Sequence, residues 1–229
     1  MQTVKPRTDC TKMKLLVGAD LHNNARGMEW FCRLADAELP DAVVFLGDFI
    51  TFSPMSFARQ AIRDLSGLAD SVLVVPGNCD PRDILLDLEK AEGVISLHNR
   101  QVEIEGVRYA GKGGSISCPS PTPFEENDDT FAESLERTAE GAEVLVLHQP
   151  VRGYRDAVSS RQRVGSESLR KLVDRLKPRL VLSGHIHEAQ GVDREGGTAF
   201  VNPGALLVMN AAVVEYGETI EVSFRKGDT

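Results

Sequence analysis

Five short apolar runs, each ending in a residue able to bind a cation, constrain this chain more than any other feature. Leu15-Leu16-Val17 leads to Asp20 and His22, Val43-Val44-Phe45-Leu46 to Gly47-Asp48, and Val72-Leu73-Val74-Val75 to Gly77-Asn78. Val144-Leu145-Val146-Leu147 leads to His148, and Leu180-Val181-Leu182 to His185 and His187. Runs without polar alternation read as strands buried on both faces, hence a largely parallel sheet covered by helices. Right-handed crossovers put the ends of such strands on one edge, where α/β proteins bind ligands. Two Asp, one Asn and four His gathered there fit a pair of transition-metal ions.

The surrounding pattern supports that architecture. Strands are expected at 13–19, 42–46 and 71–75, alternating with helices at 25–39, 56–68 and 82–91. A hairpin around Gly106 follows, then a long loop through 111–124, a helix at 126–140, a strand at 143–147, a helix at 166–176 and a strand at 178–183. The last third reads as short strands at 189–193, 198–201, 211–216 and 219–224. Two facing mixed sheets with helices outside each, a four-layer αββα arrangement of the α/β class, is the economical packing. Residues 13–229 are expected to form one domain behind a disordered tail at 1–12, with Met13 a candidate start.

Composition narrows the function. The chain has 229 residues, 41% hydrophobic and 26% charged, which is ordinary for a globular protein of one domain. A net charge of −8 argues against a uniformly basic nucleic-acid face. No run approaches the roughly 18 apolar residues of a membrane span. Cys10, Cys32, Cys79 and Cys118 show no C-x-x-C pairing, which suits a reducing, cytoplasmic compartment.

Each motif has a chemical reason. In Asp20-Leu21-His22 and His185-Ile186-His187, residues two apart point the same way if the chain is extended. Gly47 lets the backbone approach closely at a strand end, and the Asp48 carboxylate has lone pairs enough to bridge two cations. Asn78 adds a neutral oxygen. Nitrogen and oxygen ligands without thiolate favour Mn, Fe, Ni, Zn or Co over Ca or Mg.

In order, these blocks resemble the calcineurin-like metallophosphoesterase superfamily: Asp-x-His, Gly-Asp, Gly-Asn-His-Asp/Glu, His and Gly-His-x-His. Gly184-His185-Ile186-His187-Glu188-Ala189 and Val201-Asn202-Pro203-Gly204 resemble its small Icc-related bacterial and archaeal branch. The resemblance implies that Asp20, His22, Asp48 and His187 hold one divalent ion, manganese first among the candidates. Asp48, Asn78, His148 and His185 would hold a second. It further implies hydrolysis of a phosphodiester or phosphomonoester of a small, nucleotide-like substrate by a metal-bridging hydroxide, with Asp48, Asn78 and His148 as catalytic residues. The chain departs at Gly77-Asn78-Cys79-Asp80, where Cys79 stands in place of the motif histidine. Two other readings stay open, a nuclease and a non-catalytic scaffold that keeps the fold, as does homo-oligomerisation.

Other residues have plainer expectations. Asn23, Cys79, Arg152 and Arg155 are candidate substrate contacts. Asp80, before Pro81, reads as a helix cap. His98 is expected at the surface, Trp30 in the core, and 111–115 as loop punctuation rather than a phosphate cradle.

Overall fold

A computed structural model of the chain describes residues 12–228. Residues 1–11 of the expected tail lie outside the described residues. Lys12 is described, and its ammonium pairs with Glu215 at 3.1 Å and Glu221 at 2.5 Å.

The first half alternates strand and helix: β1 (Met13–Gly18), α1 (Ala25–Glu38), β2 (Ala42–Phe45), α2 (Met55–Leu65), β3 (Ser71–Val74), α3 (Ile84–Lys90), β4 (Ile95–Ser96). The hairpin of β5 (Arg100–Ile104) and β6 (Val107–Lys112) follows, then β7 (Ser115–Ile116), β8 (Glu125–Glu126), α4 (Asp128–Ala139) and β9 (Val144–Leu147). The rest is α5 (Glu167–Leu176), β10 (Leu180–Leu182), β11 (Gly191–Glu195), β12 (Thr198–Asn202), β13 (Asn210–Tyr216) and β14 (Ile220–Lys226). The expected loop at 111–112 is strand, because Gly111 and Lys112 pair in parallel with Val146 and Leu147.

Two six-stranded mixed sheets result. Sheet A has the order β14-β13-β1-β2-β3-β4, and sheet B the order β11-β12-β10-β9-β6-β5. In each, four strands run parallel: β1 to β4 in one, and β6, β9, β10 and β12 in the other. Of the short strands of the last third, β12 joins the parallel set of sheet B with β11 antiparallel at its edge, and β13 and β14 add antiparallel to sheet A beside β1.

Alternate residues of each strand fill different layers, which is why the runs are apolar throughout. Leu15, Val17, Val44 and Leu73 of sheet A meet Val144, Val146, Leu180 and Leu182 of sheet B in one core between the sheets. Leu16, Val43, Phe45 and Val74 face outward against Met28, Phe31, Ile62 and Ile84 of α1, α2 and α3, with Trp30 half-buried beside them. Leu145, Leu147 and Val181 face outward against Phe131, Leu135, Leu169 and Val173 of α4 and α5. Burying each such side chain stabilises the fold by about 1.5–3 kcal/mol before ordering costs. Among the described residues no helix is long and apolar enough to cross a membrane.

Candidate metal centre

Past the ends of β1 and β2 the backbones stay in register as loops. Asp20 N donates to Gly47 O, Leu21 N and His22 N both donate to Asp48 O, and Asn23 N donates to Phe49 O, all at 2.9–3.0 Å. The conformation there is not extended. Asp20, His22, Asn23 and Asp48 have φ of 56°, 45°, 65° and 55°, and across the centre His185 has φ 69°. Left-handed backbone costs roughly 1–2 kcal/mol per ordinary residue, less for Asp and Asn. The expectation that Asp20 with His22, and His185 with His187, converge by strand pleat is therefore corrected: tight left-handed turns aim them.

Two glycines permit the crossing of these loops. A Cβ on Gly77 would lie 1.9 Å from Asp48 Oδ1, and one on Gly47, at φ 88°, 2.1 Å from Gly77 N.

The seven motif side chains come together. Asp48 Oδ2 lies 3.5 Å from His22 Nε2 and 3.5 Å from His148 Nε2. His22 Nε2 is 2.9 Å from His187 Nε2, which is 3.7 Å from Asp20 Oδ1. Asn78 Oδ1 is 2.8 Å from His148 Nε2, and the rings of His148 and His185 have centroids 5.1 Å apart. Donor atoms of Asp20, His22 and His187 lie within 4.8 Å of one another, as do those of Asp48, His148 and His185, so each trio could hold an ion. A third such trio joins His22 and Asp48 to Cys79.

His148 Nδ1 is 2.6 Å from the carbonyl of Leu46, which can only accept, so Nδ1 carries the proton and Nε2 presents a lone pair. That lone pair faces Asn78 Oδ1, another acceptor, because the Asn78 amide nitrogen donates to Thr122 Oγ1 at 3.0 Å. Two facing acceptors repel unless a cation lies between them.

The ionisations agree with this. Burial raises Asp48 to about 7, and burial with the nearby Asp48 charge raises Asp20 well above the usual carboxylate range. Burial, with neighbouring imidazoles, lowers His22 and His185 to about 3, and burial lowers His148 to about 4. Carboxylates that resist ionising beside imidazoles that resist protonating form a cluster short of positive charge. The residues present fit divalent cations.

Several supporting groups escape the motif reading. Thr51 Oγ1 holds His22 Nδ1 at 2.5 Å, and Asn202 Nδ2 donates to the carbonyls of Ile186 at 3.0 Å and Gly184 at 3.5 Å. Asp80 is not a helix cap. It is fully buried and accepts from Gly77 N at 2.8 Å and Ile50 N at 3.2 Å, tying together loops whose amides otherwise lack partners. The following helix starts at Ile84, after Asp83.

His98 is half-buried rather than at the surface. Its Nδ1 accepts from Gly113 N at 3.1 Å and its ring packs on Phe124. The two candidate substrate arginines are engaged elsewhere: Arg155 grips Asp193 at 2.7 and 2.8 Å, and Arg152 bonds Arg163 O and lies 3.5 Å from Glu167. Asn23 stays beside His22, its amide nitrogen on Thr51 O and its Oδ1 buried without a partner. Cys79 borders the centre, its N–H donating to Asp48 Oδ1 at 2.8 Å and its thiol held protonated by burial and the Asp48 charge.

Comparison with known proteins agrees with this geometry. The sequence profile of the calcineurin-like phosphoesterase superfamily domain matches residues 13–218. An uncharacterized protein of Methanocaldococcus jannaschii is 29% identical over 175 residues, 72% of this chain and 78% of that protein. Human metallophosphoesterase domain-containing protein 1 is 42% identical over 123 residues, which make up 50% of this chain but only 36% of the human protein. A solved dimetal phosphatase from Danio rerio shares the fold, with a TM-score of 0.64 at 12% identity over 93% of this chain and 96% of that one. With the profile running from β1 to just past β13, this chain belongs to the calcineurin-like phosphoesterase superfamily.

Proposed function

We propose that the chain is a metal-dependent hydrolase acting on a phosphodiester of a small, nucleotide-like molecule in the cytoplasm, where free thiols such as Cys32, Cys79 and Cys118 persist. The observation that carries this reading is the position of Asp48 Oδ2, equidistant at 3.5 Å from His22 Nε2 and His148 Nε2. There it can bridge one ion held by Asp20, His22 and His187 to a second held by Asn78, His148 and His185. Nitrogen and oxygen donors suit manganese first, then iron, nickel, zinc or cobalt. Such a pair supplies, when bound, an acidified water as nucleophile and positive charge for the phosphate oxygens.

The chain's own residues do the positioning. Leu46 O fixes the tautomer of His148, Thr51 fixes His22, and Asp80 fixes the crossing of the two loops that carry Asp48 and Asn78. Two carboxylates, from Asp20 and Asp48, offset part of the charge of two divalent ions, while Asn78 and the imidazoles offset none. With Arg152 and Arg155 engaged elsewhere, and the acidified water having lost its proton, a single positive charge would remain, which a singly charged diester matches better than a doubly charged monoester. Cys79, held as a neutral thiol, is a weak proton donor for the leaving group, so esters with acidic leaving groups, such as aryl diesters, are favoured.

The test is a metal-supplemented screen of phosphomonoesters, diesters and cyclic nucleotides, with Asp48→Ala alongside. We expect diester hydrolysis that this variant abolishes. Wild-type rates from Asp48→Ala would show that the chemistry lies elsewhere.

A further inference from the structure

The Pro-rich loop between β7 and β8 folds back onto the centre. Phe124 N donates to Asn78 O at 3.0 Å, and Asn78 Nδ2 donates to Thr122 Oγ1 at 3.0 Å. Thr122 in turn gives its own hydroxyl proton to Glu125 Oε1, 2.6 Å away. The same carboxylate oxygen accepts from Thr122 N at 2.8 Å, and its partner oxygen from Cys118 N at 3.2 Å. Arg82 lies over the Phe124 ring at 4.3 Å and donates to Glu125 O at 2.8 Å, which fastens the loop from outside.

The direction of these bonds is fixed by what each group can do. An ionised carboxylate only accepts, so the Thr122 proton must point at Glu125. Burial pushes the Glu125 carboxyl upward, but the bonds from Thr122 and Cys118 outweigh it and keep it below its ordinary range, hence ionised. With its proton committed, the Thr122 oxygen can only accept from Asn78. The Asn78 amide is then held in one of its two nearly isosteric orientations, nitrogen outward and oxygen toward His148 Nε2. The flipped orientation would put an N–H pair where a cation ligand is needed.

We infer that Thr122 and Glu125 form a positioning relay that locks the Asn78 amide with Oδ1 facing the second metal position. The inference rests on the ligand assignment proposed above and adds two residues outside every motif. It makes the β7–β8 loop part of the metal-binding apparatus rather than a mere connection. Groups that orient metal ligands typically contribute 10–100-fold to metal affinity.

The experiment titrates metal-stripped protein with Mn(II) alone, following stoichiometry and affinity by calorimetry for wild type, Thr122→Val, Thr122→Ser and Glu125→Ala. Valine keeps the shape and removes the hydroxyl, so one of the two ions should bind about 10–100-fold more weakly while the other is unchanged. Thr122→Ser should recover wild-type affinity, and Glu125→Ala, which frees the hydroxyl to rotate, should show a smaller loss at the same ion. Unchanged binding by Thr122→Val, or equal weakening of both ions, overturns the relay while leaving the phosphoesterase reading intact. A wild type that binds fewer than two ions removes that reading and the relay with it.

Discussion

The two sheets reach the candidate metal centre by unlike routes. Sheet A brings all three candidate oxygen ligands, Asp20, Asp48 and Asn78, together with His22, on loops that brace one another. Backbone bonds join the first two loops, Gly47 and Gly77 let the second and third cross, and Asp80 bonds across that crossing. Sheet B brings only imidazoles, and each leans on sheet A. His148 Nδ1 sits on Leu46 O, His185 N donates to both Asp20 oxygens at 3.1 and 3.2 Å, and His187 meets His22. Left-handed strain follows the same division: Asp20, His22 and Asp48 carry it on one side, and of the three sheet B histidines only His185 does. The oxygen side is a self-supporting frame, and the nitrogen side is fitted to it.

Removing one candidate ligand from each side should have the largest effect. Asp20→Ala takes away a candidate ligand and the acceptor of His185 N–H, so both sides should suffer. We expect metal affinity and hydrolysis to fall by more than about 100-fold, beyond the loss typical of a supporting group. His187 has a side chain 38% exposed at the rim and supports no other ligand's backbone. His187→Ala should weaken only one ion, by about 10–100-fold. Metal titration of both variants decides it, and equal losses across both ions in His187→Ala would mean that sheet B is no mere addition.

A substitution on the frame tests its chemistry rather than its support. Cys79 borders Asp48 where the family motif carries histidine. Cys79→His should speed hydrolysis of alkyl diesters by about 10²-fold, at the low end of general-acid help, and barely alter aryl diesters, whose leaving groups need no proton. A uniform change along a leaving-group series would show that the thiol does not limit proton delivery.

The same division explains what could be read from the sequence. Strand interiors are legible because both faces are buried: Leu15 and Leu16 point into different layers, and both must be apolar. The candidate ligands are legible as side chains because cation binding calls for nitrogen and oxygen donors, and the structure brings those side chains together. How they are aimed is not, because left-handed turns at Asp20, His22 and Asp48 leave no periodic trace in residues other than glycine. Asp80 before Pro81 imitates a helix cap, and only the approach of Gly77 N and Ile50 N from separate loops reveals its work. His98 is buried by a neighbour distant in sequence, Phe124, which no local pattern announces. Thr122 escapes for a similar reason, being 44 positions from the Asn78 it orients.

Proton release on metal binding offers the finest test of the two-sided picture. In the metal-free protein Asp48 is raised to about 7, and Asp20 well above its ordinary range, so below that pH the oxygen side still holds protons. The imidazoles of His22, His148 and His185, lowered to about 3, 4 and 3, are already neutral. A cation arriving near neutral pH must therefore displace protons from carboxyl groups and none from these imidazoles. Affinity should therefore fall as pH falls through about 7, by about tenfold per pH unit for each proton released. An ordinary exposed histidine site would instead begin to lose affinity only below about 6.5. Calorimetry of Mn(II) binding in buffers of differing ionisation enthalpy counts those protons, and the count should rise between about pH 8 and about pH 6. A count that stays at zero down to pH 6 would mean the carboxylates are ionised before the metal arrives, and that the frame is stabilised by charges other than bound cations.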